Sequence, residues 1–432
     1  MSGILKNLAL SFSAGSMALI AGSASAQSVP GQDAGVDNFS RNRNTSVQQR
    51  PRPEYEAPGV RAGAFLVYPR LELSVERNDN IYATSSGELD DTIYHIRPEL
   101  AIESDWSQNF LSAYARGSIN RYSDYESENK DEFAVGSAGR IDVNRQTNIG
   151  FGGDFSSGFE PRTAPSAPRN AVEPTELETY QAYVSASRAA GYVKLSGRFD
   201  WRGFDYTDGV TGLGTVIDQD NRDRDVRSVT GRVDIAISPD SAFFVQATGN
   251  DREYDIASTP LIPNRDSSGV EYLLGANFEL SALVRGEVAV GYIEQDFDQA
   301  AFQDVDGFGG RAQLEWFPSE LTTVTIAAGR TVEDTPTTGV GGFLSSTASI
   351  GVDHELLRNV ILNARATWGR DDYEGIDRED TRVGFNIGGT YLLNRNLGLN
   401  ATYSSIDTES AGANRDQDFT VGKLAIALVA QF

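Results

Sequence analysis

The sequence predicts an all-β protein, a transmembrane antiparallel β-barrel of about 18 strands. Three observations predict it. Apolar and polar residues alternate in segment after segment through 63–432. The connections between segments are short and long by turns. The chain finishes on an apolar row closed by Phe432.

The alternation is the β signature, because successive side chains of a strand point to opposite faces. In 193–202, Val193, Leu195, Phe199 and Trp201 fall on one face, and Lys194, Ser196, Arg198, Asp200 and Arg202 on the other. In 283–294, Val284, Val288, Val290 and Tyr292 oppose Arg285 and Glu287. In 312–316, Ala312, Leu314 and Trp316 oppose Gln313 and Glu315. In 360–368, Val360, Leu362, Ala364, Ala366 and Trp368 oppose Asn363, Arg365 and Thr367. Segments of about ten residues are what a tilted strand needs to cross a membrane.

Short connections are expected near 105–109, 144–146, 189–191, 238–240, 281–282, 318–320, 356–358 and 393–395. Long polar ones separate them, near 78–89, 123–131, 158–178, 206–223, 255–267, 297–304, 334–340, 374–378 and 408–416. Short turns on one side and long loops on the other are the layout of an outer-membrane barrel in a Gram-negative cell. A soluble sandwich or propeller also alternates, but neither explains this regular succession. Both ends of the barrel then lie on the short-turn side, the periplasm.

In the final segment Leu424, Ile426, Leu428, Ala430 and Phe432 form one apolar row. It resembles the C-terminal signal read by the barrel-assembly machinery, which makes that machinery an expected partner. Trp201, Tyr292, Trp316, Trp368, Tyr391 and Tyr403 on outward rows suit girdles at the membrane interfaces. Outer-membrane lipid and lipopolysaccharide are expected to meet this wall.

The beginning differs. Residues 1–26 combine Lys6, an apolar stretch and Ala24-Ser25-Ala26, the pattern of a removable signal peptide. Residues 27–62 are rich in Pro, Gln, Asn and Arg and poor in apolar side chains. Such a segment cannot offset its ordering entropy by burial. It is expected to be a flexible periplasmic arm, made locally basic by Arg41, Arg43, Arg50 and Arg52. A solvated tether is the favoured reading; docking onto a partner or into the barrel's own lumen is the alternative.

The charge of -24 disfavours nucleic acid as a partner, since phosphate binding requires a basic surface. There is no cysteine, hence no disulfide and no thiol for a lipid anchor. Enzymatic chemistry is not expected. The two histidines, His95 and His354, have no nearby Ser with a triad partner. The run from Asp218 to Asp225 fails as a calcium loop, because its sixth position is Asp223 and its twelfth Val229. Gly150, Gly152 and Gly153 lie in an alternating strand and lead into no helix, so they form no phosphate loop. No cofactor or metal is expected.

Several pieces of the first third carry a family resemblance: Tyr68-Pro69, Asp79-Asn80-Ile81-Tyr82, Asp91-Thr92-Ile93-Tyr94, Arg97-Pro98 and Ser104-Asp105-Trp106-Ser107. They resemble the family called putative β-barrel porin 2. The resemblance implies an outer-membrane barrel, and some members accompany surface-polysaccharide secretion systems. It supplies no catalytic residues.

The expected function is a translocation pore. One form is the outer-membrane conduit of a surface- or exopolysaccharide secretion system, with periplasmic polysaccharide-export proteins as partners. A general diffusion porin for small solutes, or a plugged structural or adhesive barrel, are the alternatives. Candidate pore-lining residues are Arg70, Glu72, Arg97, Glu99, Arg116, Arg198, Asp200, Arg202, Arg285, Glu287 and Arg365. The longest connection, 158–178, holds Pro161, Pro165, Pro168 and Pro174. It is expected to be a Pro-stiffened surface loop, with inward folding the alternative by fold-level analogy.

Overall fold

The computed structural model describes residues 44–256, 263–337 and 339–432. The signal segment 1–26 and the first part of the arm, with Arg41 and Arg43, lie outside the described residues.

Eighteen strands form the wall. They are β1 (Phe65–Asn78), β2 (Asp91–Ser104), β3 (Phe110–Tyr122), β4 (Lys130–Asn144), β5 (Thr147–Phe159), β6 (Glu176–Ala190), β7 (Val193–Tyr206), β8 (Arg224–Ser238) and β9 (Ser241–Tyr254). They continue as β10 (Ser267–Leu280), β11 (Val284–Phe297), β12 (Val305–Ser319), β13 (Thr322–Asp334), β14 (Gly342–Leu357), β15 (Val360–Tyr373), β16 (Glu379–Leu392), β17 (Leu397–Ala411) and β18 (Phe419–Gln431). Each pairs antiparallel with its neighbour in sequence, and β18 pairs back onto β1, closing the ring. Closure removes the exposed edges that an open sheet would leave in lipid. The strand number and the succession of short and long connections are those read from the sequence.

The outward face is apolar. Leu71, Leu73 and Val75 of β1, and Leu424, Ile426 and Leu428 of β18, are exposed to the surroundings of the barrel. Tyr292, Trp316, Trp368, Tyr391 and Tyr403 share that face. Strands of 13 to 16 residues reach roughly 45–55 Å. An apolar band about 25 Å tall needs less, even with strong tilt. The wall therefore continues beyond the membrane on the long-loop side, where the same outward rows turn acidic at Asp251, Glu253, Asp296 and Asp306.

The residues carrying the family resemblance sit where the ring is joined. The β1–β18 ladder covers only 70–78 against 423–431, whereas β1 and β2 pair over the full length of β1. The loop after β1 reinforces this join. Asp79 accepts a hydrogen bond from the Gly422 N–H at 2.6 Å and donates its own N–H to the Gly422 carbonyl. The Asn80 side-chain amide donates to the carbonyls of Thr420 and Thr84, at 2.9 and 2.8 Å. A Cβ on Gly422 would lie 2.5 Å from an Asp79 carboxylate oxygen, so glycine is required there. Ala83 packs on Phe419 and Val421 beside these bonds. Asp91, fully buried, accepts the N–H groups of Asp124 and Tyr125 and so pins the next long loop. At the short-turn end Phe65 meets Trp106 edge-on at 5.6 Å, and Ser104 Oγ accepts from the Leu111 N–H.

Candidate functional site

The site is the lumen. Its wall is built by the rows opposite the exposed apolar ones, and all eleven candidate residues lie on those inward rows. Register fixes which of them meet. Arg70, Glu72, Arg97 and Glu99 are cross-strand neighbours on β1 and β2. Arg70 bonds Glu72 at 2.6 Å and Glu99 at 3.2 Å, and Arg97 bonds Glu72 at 2.9 Å. Arg198 and Asp200, two apart on β7, pair at 2.6 Å, with the guanidinium 3.9 Å over the Tyr183 ring. Glu287 joins Arg232 at 2.8 Å and Arg311 at 2.9 Å, and Arg232 also holds Asp234. Arg285 bonds Glu315. Arg116 stands beside the Tyr114 ring. Arg365 lies along the wall over Gly351 and stays exposed inside the barrel, as does Arg311. Most of these charges thus meet a partner of opposite sign.

The arm departs from the expected tether in its described part. Residues 44–58 lie against the inner wall at the short-turn end. Asn44 donates to the Ala282 carbonyl, the Val47 N–H to Thr323 Oγ1, and Gln48 to Asp353. Arg52, 3% exposed, bonds Glu355 at 3.0 Å and the Val47 carbonyl at 2.8 Å. Further round the rim, Arg358 and Arg395 donate to the carbonyls of Pro51 and Pro53, and Gln431 to that of Tyr55. The segment then turns at Gly59, whose φ of +72° and close contact with the Tyr68 ring both require glycine, and adds Val60–Ala62 as a short strand on β1. The physical reason is charge and peptide chemistry. A basic segment poor in apolar groups gains little from burial, but it can satisfy its backbone and guanidinium groups on an acidic, hydrogen-bonding wall. Sequence reasoning missed Val47, Thr323, Asp353 and Glu355 as a set; the basic arm on an acidic protein was the signal that could have found them.

The long loop between β5 and β6 also departs from the expected surface loop. It folds over the lumen. Glu160 accepts two bonds from Arg222 at 2.6 and 3.0 Å, both side chains being buried. Arg162 bonds Glu128 at 2.6 Å. Arg169 reaches Asp416 at 3.2 Å and stacks on Phe419. Thr163, Pro165 and Arg169 share a small cavity with the inward-facing Asp380, Arg382, Thr408 and Ser410 of β16 and β17, well round the ring from β5. The loop before β8 follows it in, through the Val172 N–H to Val210 carbonyl bond. The prolines break regular structure, and the ion pairs, invisible from spacing alone, choose the direction. Arg222→Ala leaves Glu160 buried with the Ser166 hydroxyl as its remaining partner and no counter-charge, at a cost of about 3 kcal/mol. The expected result is a 160–175 segment cut by external protease on intact cells, where the parent resists; equal resistance would remove the pair's role.

The remaining motifs stay quiet. His95 Nδ1 meets Asn120 at 2.6 Å, and its other ring nitrogen lies 3.7 Å from Glu76. His354 Nδ1 meets Thr322 Oγ1 at 3.0 Å. Asp208, Asp218 and Asp220 gather exposed carboxylates on the loop before β8. Nearby Asp223 is pushed up to about 6, first by burial and then by Asp205, Asp220 and Asp255. A carboxyl raised in the fold binds its proton more tightly there than in the unlocked loop. Its stabilising effect is therefore present at pH 4–5 and lost as pH rises through about 6. Limited proteolysis of 207–223 is expected to be slower at pH 5 than at pH 7, and Asp223→Asn to abolish the difference.

Among solved structures the chain is similar in fold to Pseudomonas aeruginosa OpdL, at 12% identity over 85% of this chain and 98% of that one, with a TM-score of 0.43. It is similar to Acinetobacter baumannii OccAB4, at 11% identity over 89% and 100%, with a TM-score of 0.47. The siderophore receptor PirA of Pseudomonas aeruginosa matches at 8% identity over 85% and 80%, with a TM-score of 0.44. No curated protein matches the chain. The sequence pattern of one family spans the docked end of the arm and the whole barrel, residues 52–432. With its closed eighteen-strand wall and apolar outer face, the chain belongs to that family, the putative beta-barrel porin 2 proteins of the outer membrane.

Proposed function

We propose that the chain is a diffusion pore for small hydrophilic solutes, narrowed at both mouths. One observation carries this reading: inward side chains of the mid-wall such as Arg311 and Arg365 remain solvent-accessible, so the lumen is not filled as a core. About 18 strands enclose space for water and solutes. The arm at one end and the 160–175 loop at the other set the size of what passes. Mixed charges, mostly paired, favour neither strong cation nor strong anion selection. Planar-bilayer recording of the purified chain is expected to show discrete conductance steps; their absence would leave only a plugged structural or adhesive barrel.

A second reading has its own support. Tyr68, Tyr114 and Tyr183 face inward, and aromatic faces suit sugar rings, as an export conduit for a polysaccharide would need. In that reading the arm and the 160–175 loop move aside, and periplasmic export proteins meet the short-turn end. A deletion strain that still secretes its polymer would reject it.

A further inference from the structure

One row of the lumen wall carries an acid and a base that make no direct ion pair with each other. Tyr114 of β3, Gly136 of β4, Asp154 of β5, Gln181 of β6 and Arg202 of β7 are successive register partners, forming a straight inward line across five strands. The line is bounded by Ala101 of β2 and Val226 of β8, which offer no hydrogen-bonding side chain. Within it, acid and base are kept apart by one strand. In register Asp154 and Arg202 each face Gln181, and Asp154 feels Arg116 and Arg202 through space without a direct bond to either.

The consequence is unmet bonding capacity. Asp154 Oδ1 and Gln181 Nε2 are buried and have no hydrogen-bond partner among the described residues. Arg202 makes no hydrogen bond or ion pair among them either, in contrast to Arg70, Arg97, Arg198, Arg232 and Arg311. Gly136 carries no side chain in the middle of the row, and its neighbours close over it. A Cβ there would lie 2.5 Å from the Tyr114 ring and 2.9 Å from Asp154 Cβ, so both side chains lean over the glycine. Buried polar groups are normally satisfied, and a cluster that is not is completed by what binds it.

We propose that this row is a solute-binding subsite for a monosaccharide carrying a carboxylate. The chemistry assigns each group. The Tyr114 ring, laid over Gly136 with the Arg116 guanidinium 5.3 Å from its centroid, forms the apolar end of the row. Asp154 accepts a hydrogen bond from a sugar hydroxyl, and Gln181 Nε2 donates one to a ring or hydroxyl oxygen. Arg202, with five N–H donors in a planar fork, takes the carboxylate in a bidentate pair. Neighbouring strands stand about 4.8 Å apart, so Asp154 and Arg202 are separated by roughly 10 Å at the backbone. That separation is of the size of a sugar ring with its substituents. A neutral sugar would leave Arg202 unmatched, and a small inorganic anion would leave Asp154 and Gln181 unmatched.

The subsite rests on the pore reading for its role in transport, but not for its binding. The test is calorimetric titration of the full chain in detergent with galacturonate, galactose and inorganic phosphate. Galacturonate is expected to bind more tightly than both others, and Arg202→Ala to weaken it by about 10- to 100-fold. Gln181→Ala is expected to weaken galacturonate and galactose alike. Heat-modified gel migration identical to the parent confirms that each variant is folded, and Arg202→Lys serves as a milder change if Arg202→Ala is not. Equal affinity for galacturonate and galactose, or an Arg202 variant that binds as the parent does, overturns the proposal. Conductance without galacturonate binding rejects the subsite and keeps the pore. Binding without conductance keeps the subsite and rejects the pore.

Discussion

Replacing Arg52 by alanine is expected to release the arm and open the short-turn mouth. The guanidinium is buried against Glu355 and holds the Val47 carbonyl, so it fixes the arm to itself and to the wall at once. Removing one partner of a buried pair costs about 3–5 kcal/mol. The lower end applies here, because Arg50 at 3.5 Å and Arg358 at 3.6 Å remain near Glu355. About 3 kcal/mol shifts a docking equilibrium by a factor of roughly 100. In planar bilayers the parent should hold a steady lower conductance, and Arg52→Ala should flicker to a larger level or stay there. Deleting 44–58 should fix the larger level. Traces indistinguishable from the parent in both variants would show that the arm does not restrict the mouth.

The second large effect lies in the barrel wall, and it is one of stability. Arg232 serves Asp234, 0% exposed, and Glu287, 4% exposed, and its guanidinium lies 3.6 Å over the Phe244 ring. Arg232→Met keeps most of the volume but strands two carboxylates away from water. Arg311 still reaches Glu287, so the main loss falls on Asp234, whose remaining partner is the Asn277 amide at 3.2 Å. The expected penalty is again about 3–5 kcal/mol. It should appear as a lower temperature for loss of the fast-migrating folded band on gels. Adding Asp234→Asn should recover much of the loss, since a neutral amide needs no counter-charge. A double variant as unstable as Arg232→Met alone would mean that packing on Phe244, not charge, sets the cost.

The barrel was legible because lipid and closure impose rules that the chain must write locally. Period-two rows, turn lengths and outward aromatics follow from a strand's geometry and its surroundings. Val193, Leu195 and Phe199 declare their face without reference to any other strand. The inward position of Arg198 or Glu287 follows from the same parity. What those residues meet does not. Glu160 and Arg222 lie 62 positions apart, and Arg52 and Glu355 lie 303 apart, and no periodicity joins them. Docking of the arm and inward folding of the 160–175 loop stood only as alternatives for this reason: composition describes their cost of ordering, whereas their docking depends on partners brought by the ring. The Asp154–Gln181–Arg202 row was hidden in the same way, because its meaning lies in register across strands.

The bonds from Asp79 and Asn80 to the last strand bear on how the ring is made. Both grip peptide groups, at Gly422 and Thr420, and not side chains. They therefore cannot engage until β18 has arrived in its final register, since a slip by one residue would offer Asp79 a position with a Cβ in the way. A nascent barrel lacking β18 carries two bare edges and an unfilled pair of polar hooks. A correctly joined one hides all three together. The loop after β1 thus ties closure of the ring to the final register of its last strand.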